Sequence, residues 1–281
     1  MNKLLNLDHH CSLLKSQGYT VLPSLIGKNK CTELKSILES THSQYAHLHF
    51  KPTRIGSHGL DDKSTEKVVY NLHNKHIAFF DLIGHEVILH LIKNALKEGS
   101  YQNSDKVIHT LSTARSPLKS LIGQQLHIDA RMPGTPFATN IIALWMIDDF
   151  KVENGATRIV PNSHTKPFFP ENGKTYSEEI SITAPAGSVL LYNGSLWHGG
   201  GPKQSDEDRW ACIFSYARWY LKPSFDFNRN MPKDIYDKIS DECRELLGYK
   251  VTPPTDEFTR LSMRSEVFEP PSEYNLPKSS N

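Results

Sequence analysis

Apolar residues follow a helical period in the first part of the chain and form short strand-like runs in the second. Leu34, Ile37 and Leu38 recur at the spacing of one helix face between residues 29 and about 47. From Phe137 onward, short apolar runs alternate with turn residues, which is typical of an all-β sandwich or barrel. The pattern predicts a mainly β fold with flanking α-helices.

The other elements follow from the same rules. Asp8 is a candidate cap for a first helix that Gly18 ends, and residues 77–97 predict a pair of helices around Gly84. One further helix is expected over about residues 233–247, a long loop over 51–64 and an irregular end over 253–281. Strands are predicted at residues 19–23, 68–72, 107–111, 126–130, 139–147, 157–160, 189–192 and 210–219.

Charge and hydropathy narrow the class of partner. Lys and Arg number 32 against 31 Asp and Glu, so the formal charge of +1 gives no support to nucleic-acid or membrane-surface binding. No apolar run approaches the roughly 18 residues of a membrane span, and residues 1–18 are too polar for a secretory signal. We expect a small-molecule partner, no nucleic acid and no membrane.

The cysteines indicate a reducing compartment. Cys11, Cys31, Cys212 and Cys243 lie far apart and form no CxxC pair, which argues against a disulfide framework and a structural zinc site. The segment 3–11 faintly resembles a peroxisomal address, but its last position does not fit and an amphipathic helix explains it better. The expected location is cytoplasmic.

One short motif carries the candidate chemistry. In a strand, His127 and Asp129 would leave on one face with Cα atoms about 6.6 Å apart, so that both could reach one ion. His198, well downstream, supplies a second imidazole across several strand-like segments that a closed double sheet would bring together. Two neutral imidazoles and one carboxylate form the facial triad of non-haem Fe(II) oxygenases, which leaves positions for a cosubstrate and dioxygen.

Arg209 is the candidate anion-binding residue. It opens a predicted strand in which Arg209, Ala211 and Ile213 share one face, so small or aliphatic neighbours leave room for a ligand. Guanidinium stays charged in a low-dielectric pocket and offers two parallel hydrogen bonds to a carboxylate. We therefore expect Arg209 to hold the distal carboxylate of a dicarboxylate whose other end chelates the metal. Arg218 falls on the opposite face and is a poorer candidate.

Other polar residues lie near the motif. By strand alternation Gln125 shares the face of the triad, which predicts contact with substrate or a hydrogen bond to a metal ligand. Arg131 continues that face, either toward an anionic substrate group or as a solvated rim residue. His164 is expected to satisfy backbone groups in its loop, and His109 fits either the core or the pocket.

Several stretches match the motifs of one known family in order and spacing, across about residues 68–223. They are residues 125–129 (QLHID), 143–145 (ALW), 154–164 (NGATRIVPNSH) and 198–200 (HGG), with Arg209. As a set, they resemble the phytanoyl-CoA dioxygenase family of Fe(II)- and 2-oxoglutarate-dependent oxygenases.

That resemblance implies a double-stranded β-helix, the jelly roll of cupin-like proteins, wrapped by helices. It implies that His127, Asp129 and His198 hold Fe(II), with 2-oxoglutarate as cosubstrate and dioxygen as oxidant. It places Arg209 at the distal carboxylate of 2-oxoglutarate, and Trp145 on a tryptophan that lines the same pocket.

Gly200 departs from the family pattern. Members often carry a hydroxyl residue two positions after the distal histidine, where it shares the 2-oxoglutarate carboxylate with the arginine. A hydroxyl from Thr139, Tyr192 or Ser215, or a water molecule, could take that role.

We expect residues 1–281 to form one dioxygenase domain. Its helical part extends to about residue 105, the β-helix core covers about 106–222, and a helical or irregular part follows from about 223. The predicted function is hydroxylation of a small metabolite, with oxidative decarboxylation of 2-oxoglutarate to succinate and CO₂. Two alternatives are a cupin-like metal enzyme that needs no 2-oxoglutarate and a non-catalytic binding protein on the same barrel.

Overall fold

A computed structural model describes residues 6–45, 66–251, 253, 256–261 and 274–276. The predicted loop at 51–64 and most of the predicted irregular end lie outside these residues. Within them, two antiparallel sheets form the centre of the molecule, and helices pack against the larger sheet. The mainly β fold with flanking helices is confirmed.

The described strands divide into a six-stranded and a three-stranded sheet. They are β1 (Tyr19–Leu22), β2 (Glu66–Tyr70), β3 (Val107–Pro117), β4 (Asn140–Met146), β5 (Thr157–Ile159), β6 (Ile180–Ser181), β7 (Val189–Asn193), β8 (His198–Gly200) and β9 (Ala211–Arg218). The large sheet has the order β1-β7-β4-β9-β3-β2, and the small sheet has the order β6-β5-β8. Neighbouring strands in both sheets are antiparallel. Several strands that follow one another in the chain, such as β3 and β4, are not neighbours in the sheet.

The described helices are α1 (Leu7–Gln17), α2 (Lys28–Tyr45), α3 (Phe80–Ile83), α4 (Glu86–Lys97), α5 (Lys233–Tyr236), α6 (Asp241–Leu246) and α7 (Glu257–Leu261). The first six contribute apolar side chains to the core on one face of the large sheet. Asn6, rather than the expected Asp8, caps α1 by accepting from the His9 N–H at 3.0 Å. Gly18 ends the helix in the left-handed conformation, as predicted. Of the described helices, none is both long and apolar enough to cross a membrane.

The alternation of side chains along β4 separates two apolar clusters. Ile141, Ala143 and Trp145 join the leucines of α2 and α4 in the core between the sheet and the helices. Ile142 and Leu144 point the other way, into the space between the two sheets. A cavity lies on this second side, so the parity of a residue along a strand decides whether it can reach the cavity.

Some predicted elements differ from the structure. β3 continues to Pro117, beyond the predicted end at residue 111. The expected helix over 233–247 is divided into α5 and α6, because the Ser240 side chain caps a new helix by accepting from Cys243 N. The strand expected over 126–130 is wrong: only a single pairing, His127 with His198, forms there.

Candidate active site

His127, Asp129 and His198 converge on one point of the cavity between the sheets. Each offers one ligand atom, and these atoms lie within 4.8 Å of one another. His198 Nε2 is 3.4 Å from Asp129 Oδ2, and His127 Nε2 is 3.9 Å from Asp129 Oδ1. The three residues that the sequence singles out are therefore brought together, although the first two do not lie on a strand.

Hydrogen bonds to its backbone hold the irregular segment that carries His127 and Asp129. His127 N donates to His198 O at 2.9 Å, and His198 N donates to His127 O at 3.0 Å. Asp129 N donates to Gly194 O at 2.8 Å. Arg158 Nη2 donates to Gln124 O, which ties the same segment to the small sheet. The ligands are thus fixed by backbone contacts from both sides.

Both histidines are oriented in the same way. His127 Nδ1 lies 3.0 Å from Gln125 O, and His198 Nδ1 lies 2.9 Å from Leu196 O, each the carbonyl of the residue two positions earlier. A carbonyl can only accept, so each Nδ1 carries a hydrogen and each Nε2 faces the cavity, where the neutral ring would offer its lone pair to a metal. This arrangement is the usual one for imidazoles that bind a metal.

The carboxylate is held ionised. Withdrawal from water opposes ionisation of Asp129, but the neighbouring His198 and His127 and the Tyr192 hydroxyl keep the pKa of its carboxyl below the ordinary value. Tyr192 Oη donates to Asp129 Oδ2 at 3.0 Å. Burial, followed by the charge of Asp129, raises the pKa of Tyr192 well above its ordinary value, so the hydroxyl keeps its proton. The donor set of two nitrogens and one oxygen on one side of an open cavity fits a divalent iron ion.

Arg209 lines the same cavity and is only 5% exposed. Its Nη2 donates to Gly155 O, its Nε donates to Asn154 O at 3.4 Å, and its guanidinium lies 4.1 Å from the centre of the Phe150 ring. Burial lowers the pKa of Arg209 to about 10, which leaves it charged at neutral pH. The charges of Glu66 and Asp148 oppose this shift, and these carboxylates form ion pairs with Arg115 and Lys35.

A second arginine lines the cavity that the sequence analysis did not identify. Arg115, on β3, pairs with Glu66 on β2, and both side chains are partly exposed to the cavity. Its register partner on β9 is Ala211, which places it on the cavity side of the large sheet. Because β3 carries polar residues on both faces, its sequence does not single out Arg115.

Two of the predicted cavity residues point elsewhere. Trp145 is fully buried on the helix side of β4, 5.2 Å from the His85 ring, and its neighbour Leu144 lines the cavity. The prediction that Trp145 lines the cosubstrate pocket is therefore wrong. Gln125 is exposed and Gln124 lines the cavity, so the prediction for the Gln125 side chain is also wrong. Gln125 contacts the site only through its carbonyl, which accepts from His127.

The three residues that could replace the hydroxyl absent at Gly200 lie in different places. Tyr192 lines the cavity but is bound to Asp129. Ser215 Oγ accepts from Thr110, and Thr139 Oγ1 donates to Asn140 Oδ1. The latter two side chains are occupied outside the cavity, so neither replaces a hydroxyl at Gly200.

The remaining polar candidates serve the structure around the site. His164 Nε2 lies 3.2 Å from Lys15 O, so this histidine contacts a backbone carbonyl, as predicted, but one of α1 rather than of its own loop. His109 lies in the core, with its ring centre 5.2 Å from that of Phe227. Arg131 is exposed, as a solvated rim residue would be.

Solved structures show the same fold. HygX from Streptomyces hygroscopicus, solved with nickel and 2-oxoglutarate bound, aligns with a TM-score of 0.59 at 16% identity, covering 76% of this chain and 88% of that chain. SnoN from nogalamycin biosynthesis, a non-heme alpha ketoglutarate dependent epimerase, aligns with a TM-score of 0.59 at 17% identity, covering 84% and 91%. The predicted double-stranded β-helix is confirmed by these likenesses.

Sequence comparison identifies the family. Dioxygenase af480 of Aspergillus fumigatus is 23% identical over 256 residues, covering 87% of this chain and 77% of the relative. Dioxygenase cdmA of Talaromyces verruculosus is 30% identical over 122 residues, which is 43% of this chain and 40% of the relative. The profile of the phytanoyl-CoA dioxygenase (PhyH) family matches residues 14–211, well over half of the chain. The chain therefore belongs to the phytanoyl-CoA dioxygenase family of Fe(II)- and 2-oxoglutarate-dependent oxygenases.

Proposed function

We propose that this chain holds Fe(II) with His127, Asp129 and His198, binds the distal carboxylate of 2-oxoglutarate with Arg209, and oxidises a small molecule. Hydroxylation of a small metabolite is the reaction we propose, with 2-oxoglutarate converted to succinate and CO₂. The substrate approaches through the cavity that these four residues line.

The observation that carries this proposal is the buried guanidinium of Arg209, which lines the same cavity as the triad. A buried guanidinium without a carboxylate partner costs on the order of several kcal/mol of stability. Hydrogen bonds to Gly155 O and Asn154 O satisfy part of its donor capacity. The charges of Glu66 and Asp148 also act on it, but these carboxylates pair with Arg115 and Lys35. A carboxylate ligand in the cavity would supply both the charge and a pair of acceptors. A dicarboxylate that reaches from the triad to Arg209 meets this requirement.

Each residue of the site has a separate role. When bound, Fe(II) supplies activation of dioxygen, coupled to decarboxylation of 2-oxoglutarate. His127, Asp129 and His198 fix the ion on one side, so that the other side stays open to ligands. Tyr192 holds the Asp129 carboxylate in place, and Arg209 aligns the cosubstrate. The apolar side chains of Leu144 and Ile213 line the cavity and limit its water.

The class of substrate is inferred from the relatives and the structural neighbours. SnoN has been solved with nogalamycin RO bound, and HygX with hygromycin B bound. Several curated relatives that match this chain, af480 and cdmA among them, are named dioxygenases. These likenesses support a small organic molecule as the substrate. The spaced, unpaired cysteines support the predicted cytoplasmic location.

The proposal is tested by equilibrium binding of 2-oxoglutarate to the Fe(II)-loaded protein under argon, measured by calorimetry. Arg209→Gln should weaken binding about 100-fold, since two charge-assisted hydrogen bonds are lost. Arg218→Gln is the matched control. Arg218 is an equally buried arginine on the same chain segment, but it donates to Ala138 O and Glu98 O on the helix side. A folded Arg218→Gln variant should bind 2-oxoglutarate as the wild type does.

The two alternatives give different results. A cupin-like enzyme without this cosubstrate would show no 2-oxoglutarate binding in the wild type. A binding protein on the same barrel would bind ligands but consume no oxygen with any compound of a metabolite library. Equal 2-oxoglutarate affinity of Arg209→Gln and wild type would remove Arg209 from the proposed site.

A further inference from the structure

The carbonyl that orients the His198 ring belongs to a peptide group that a serine also contacts. Leu196 O accepts from His198 Nδ1 at 2.9 Å. The N–H of the same peptide group is that of Trp197, and it donates to Ser163 Oγ at 2.8 Å. Because a peptide group is planar, a hydrogen bond at its N–H also restricts the direction of its carbonyl oxygen.

The contact between the serine and the peptide group is withdrawn from water. Ser163 and Trp197 are both fully buried, and His198 is only 6% exposed. A buried N–H that loses its acceptor costs free energy until it finds another one. Removal of the Ser163 hydroxyl therefore favours rotation of the peptide group that Leu196 and Trp197 share. Such a rotation turns Leu196 O away from the His198 ring.

Ser163 is itself held by the turn that carries it. It opens a short 3₁₀ helix, Ser163–Thr165, and its N–H donates to Val160 O at 3.2 Å. Asn162 before it has a left-handed φ of 64°, which asparagine tolerates better than most residues. Val160 N in turn donates to Trp197 O at 2.9 Å. The turn of residues 160–163 thus contacts both backbone groups of Trp197, immediately before the metal ligand.

We infer that Ser163 is a positioning residue for His198, on which it acts through the peptide group between Leu196 and Trp197. This inference rests on the proposed function, because it concerns a ligand of the proposed iron site. Nδ1 and Nε2 belong to one rigid ring, so the carbonyl that holds Nδ1 also sets the direction of Nε2. Partners that orient metal ligands typically change metal affinity by about 10- to 100-fold.

The test is Co(II) binding to the metal-free protein, followed by the visible absorption of the bound ion, which depends on the geometry of its ligands. Ser163→Ala should weaken Co(II) binding about tenfold and shift the absorption bands. Ser163→Cys keeps a side chain of similar size but offers only a weak sulfur acceptor. Its Co(II) affinity should lie between those of Ser163→Ala and the wild type.

Ser188→Ala is the matched control. Ser188 is equally buried, and its Oγ likewise accepts from a backbone N–H, that of Ser24 at 3.0 Å. Both alanine variants lose one hydrogen bond to a backbone N–H, so urea denaturation should show similar losses of stability. Of the two, only Ser163→Ala should lose Co(II) affinity, because Ser163 is the serine linked to a metal ligand.

The outcomes that would overturn the inference are distinct from a failure of the proposed function. Equal Co(II) affinities of Ser163→Ala and Ser188→Ala would overturn the inference, because the serine would then contribute to stability alone. Should Ser163→Ala not fold, the same comparison between Ser163→Cys and Ser188→Ala decides. A wild-type protein that binds no Co(II) would instead contradict the proposed iron site itself.

Discussion

His127 and His198 exchange two backbone hydrogen bonds, of 2.9 and 3.0 Å, at an isolated antiparallel pairing outside the regular strands. Their ring centres are 4.3 Å apart, and each ring is anchored through Nδ1 to a backbone carbonyl. The distance between the two metal-binding nitrogens is therefore set by backbone pairing rather than by side-chain packing. Changes that push these two segments apart should affect the metal first.

Gly199 provides the first prediction. A Cβ at this position would lie 2.9 Å from Gln124 O and 3.0 Å from Gln125 O, both backbone atoms of the segment that carries His127. Gly199→Ala should displace that segment and weaken Fe(II) binding by about tenfold or more, measured by competition with a coloured chelator. Gly200→Ala is the control, since its new Cβ meets no atom closer than 3.8 Å. Equal Fe(II) affinities of the two variants would contradict this account.

Tyr192 should matter for metal affinity. Its hydroxyl donates to Asp129 Oδ2 and lies 3.3 Å from His198 Nε2. Tyr192→Phe removes the donor that orients the carboxylate, so Fe(II) affinity should fall about 10- to 100-fold. Tyr216→Phe removes a hydroxyl that donates to Ile83 O on the helix side. That control should lose about 1 kcal/mol of stability with unchanged Fe(II) affinity, and a similar loss of affinity in both variants would rule out a specific role for Tyr192.

Trp145 should contribute to stability and not to cosubstrate binding. Trp145→Phe shortens a fully buried side chain in the core between β4 and the helices, which should lower the free energy of unfolding by about 1 to 3 kcal/mol. Because the side chain points away from the cavity, the affinity for 2-oxoglutarate should stay the same. Urea denaturation and calorimetry measure the two quantities. Weaker cosubstrate binding at unchanged stability would instead support the pocket position expected from the sequence.

His109 should contribute to acid denaturation. Its ring is buried among aromatic side chains without a hydrogen-bond partner among the described residues. Burial, followed by the charge of nearby His73, lowers the pKa of His109 well below its ordinary value of 6.5. The folded protein then binds fewer protons than the unfolded chain, so stability is present above about pH 6.5 and is lost as the pH falls.

Replacing His109 tests the direction in which stability changes with pH. His109→Leu should reduce the dependence of unfolding free energy on pH between pH 6.5 and lower values by up to about 1.4 kcal/mol per pH unit. Urea denaturation over a pH series measures it. Burial lowers the pKa of His73 to about 3, so the variant should still lose stability as the pH falls, by a smaller amount. His90→Gln, on the exposed face of α4, is the control. An unchanged slope in His109→Leu would contradict a buried neutral imidazole.

The sequence was sufficient to identify residues that carry a distinctive chemistry. Two histidines and an aspartate at this spacing are a ligand set typical of a metal site. Arg209 was identified as a cationic residue whose neighbours Ala211 and Ile213 leave room for a ligand. The sheets were predictable because short apolar runs separated by turn residues are typical of β-strands and of few other elements.

The errors have physical reasons. β4 is apolar on both faces, so its pattern does not show which face borders the cavity, and Trp145 was assigned to the wrong one. Gln125 was placed by strand alternation in a segment that forms no strand, and the irregular backbone turns Gln124 inward instead. Glu66 and Arg115 meet across two paired strands far apart in sequence, a contact that no local pattern contains.

The most direct test of the central proposal is an anaerobic titration of the metal-free protein with Fe(II) and then with 2-oxoglutarate. Wild type should bind one equivalent of Fe(II) and then develop the visible charge-transfer band of a chelated 2-oxo acid. Asp129→Ala should bind Fe(II) weakly and show no band, because a triad ligand is missing. Bound iron without a band in the wild type, or a wild-type band in Asp129→Ala, would contradict the assignment of His127, Asp129 and His198 as the iron site of a 2-oxoglutarate-dependent enzyme.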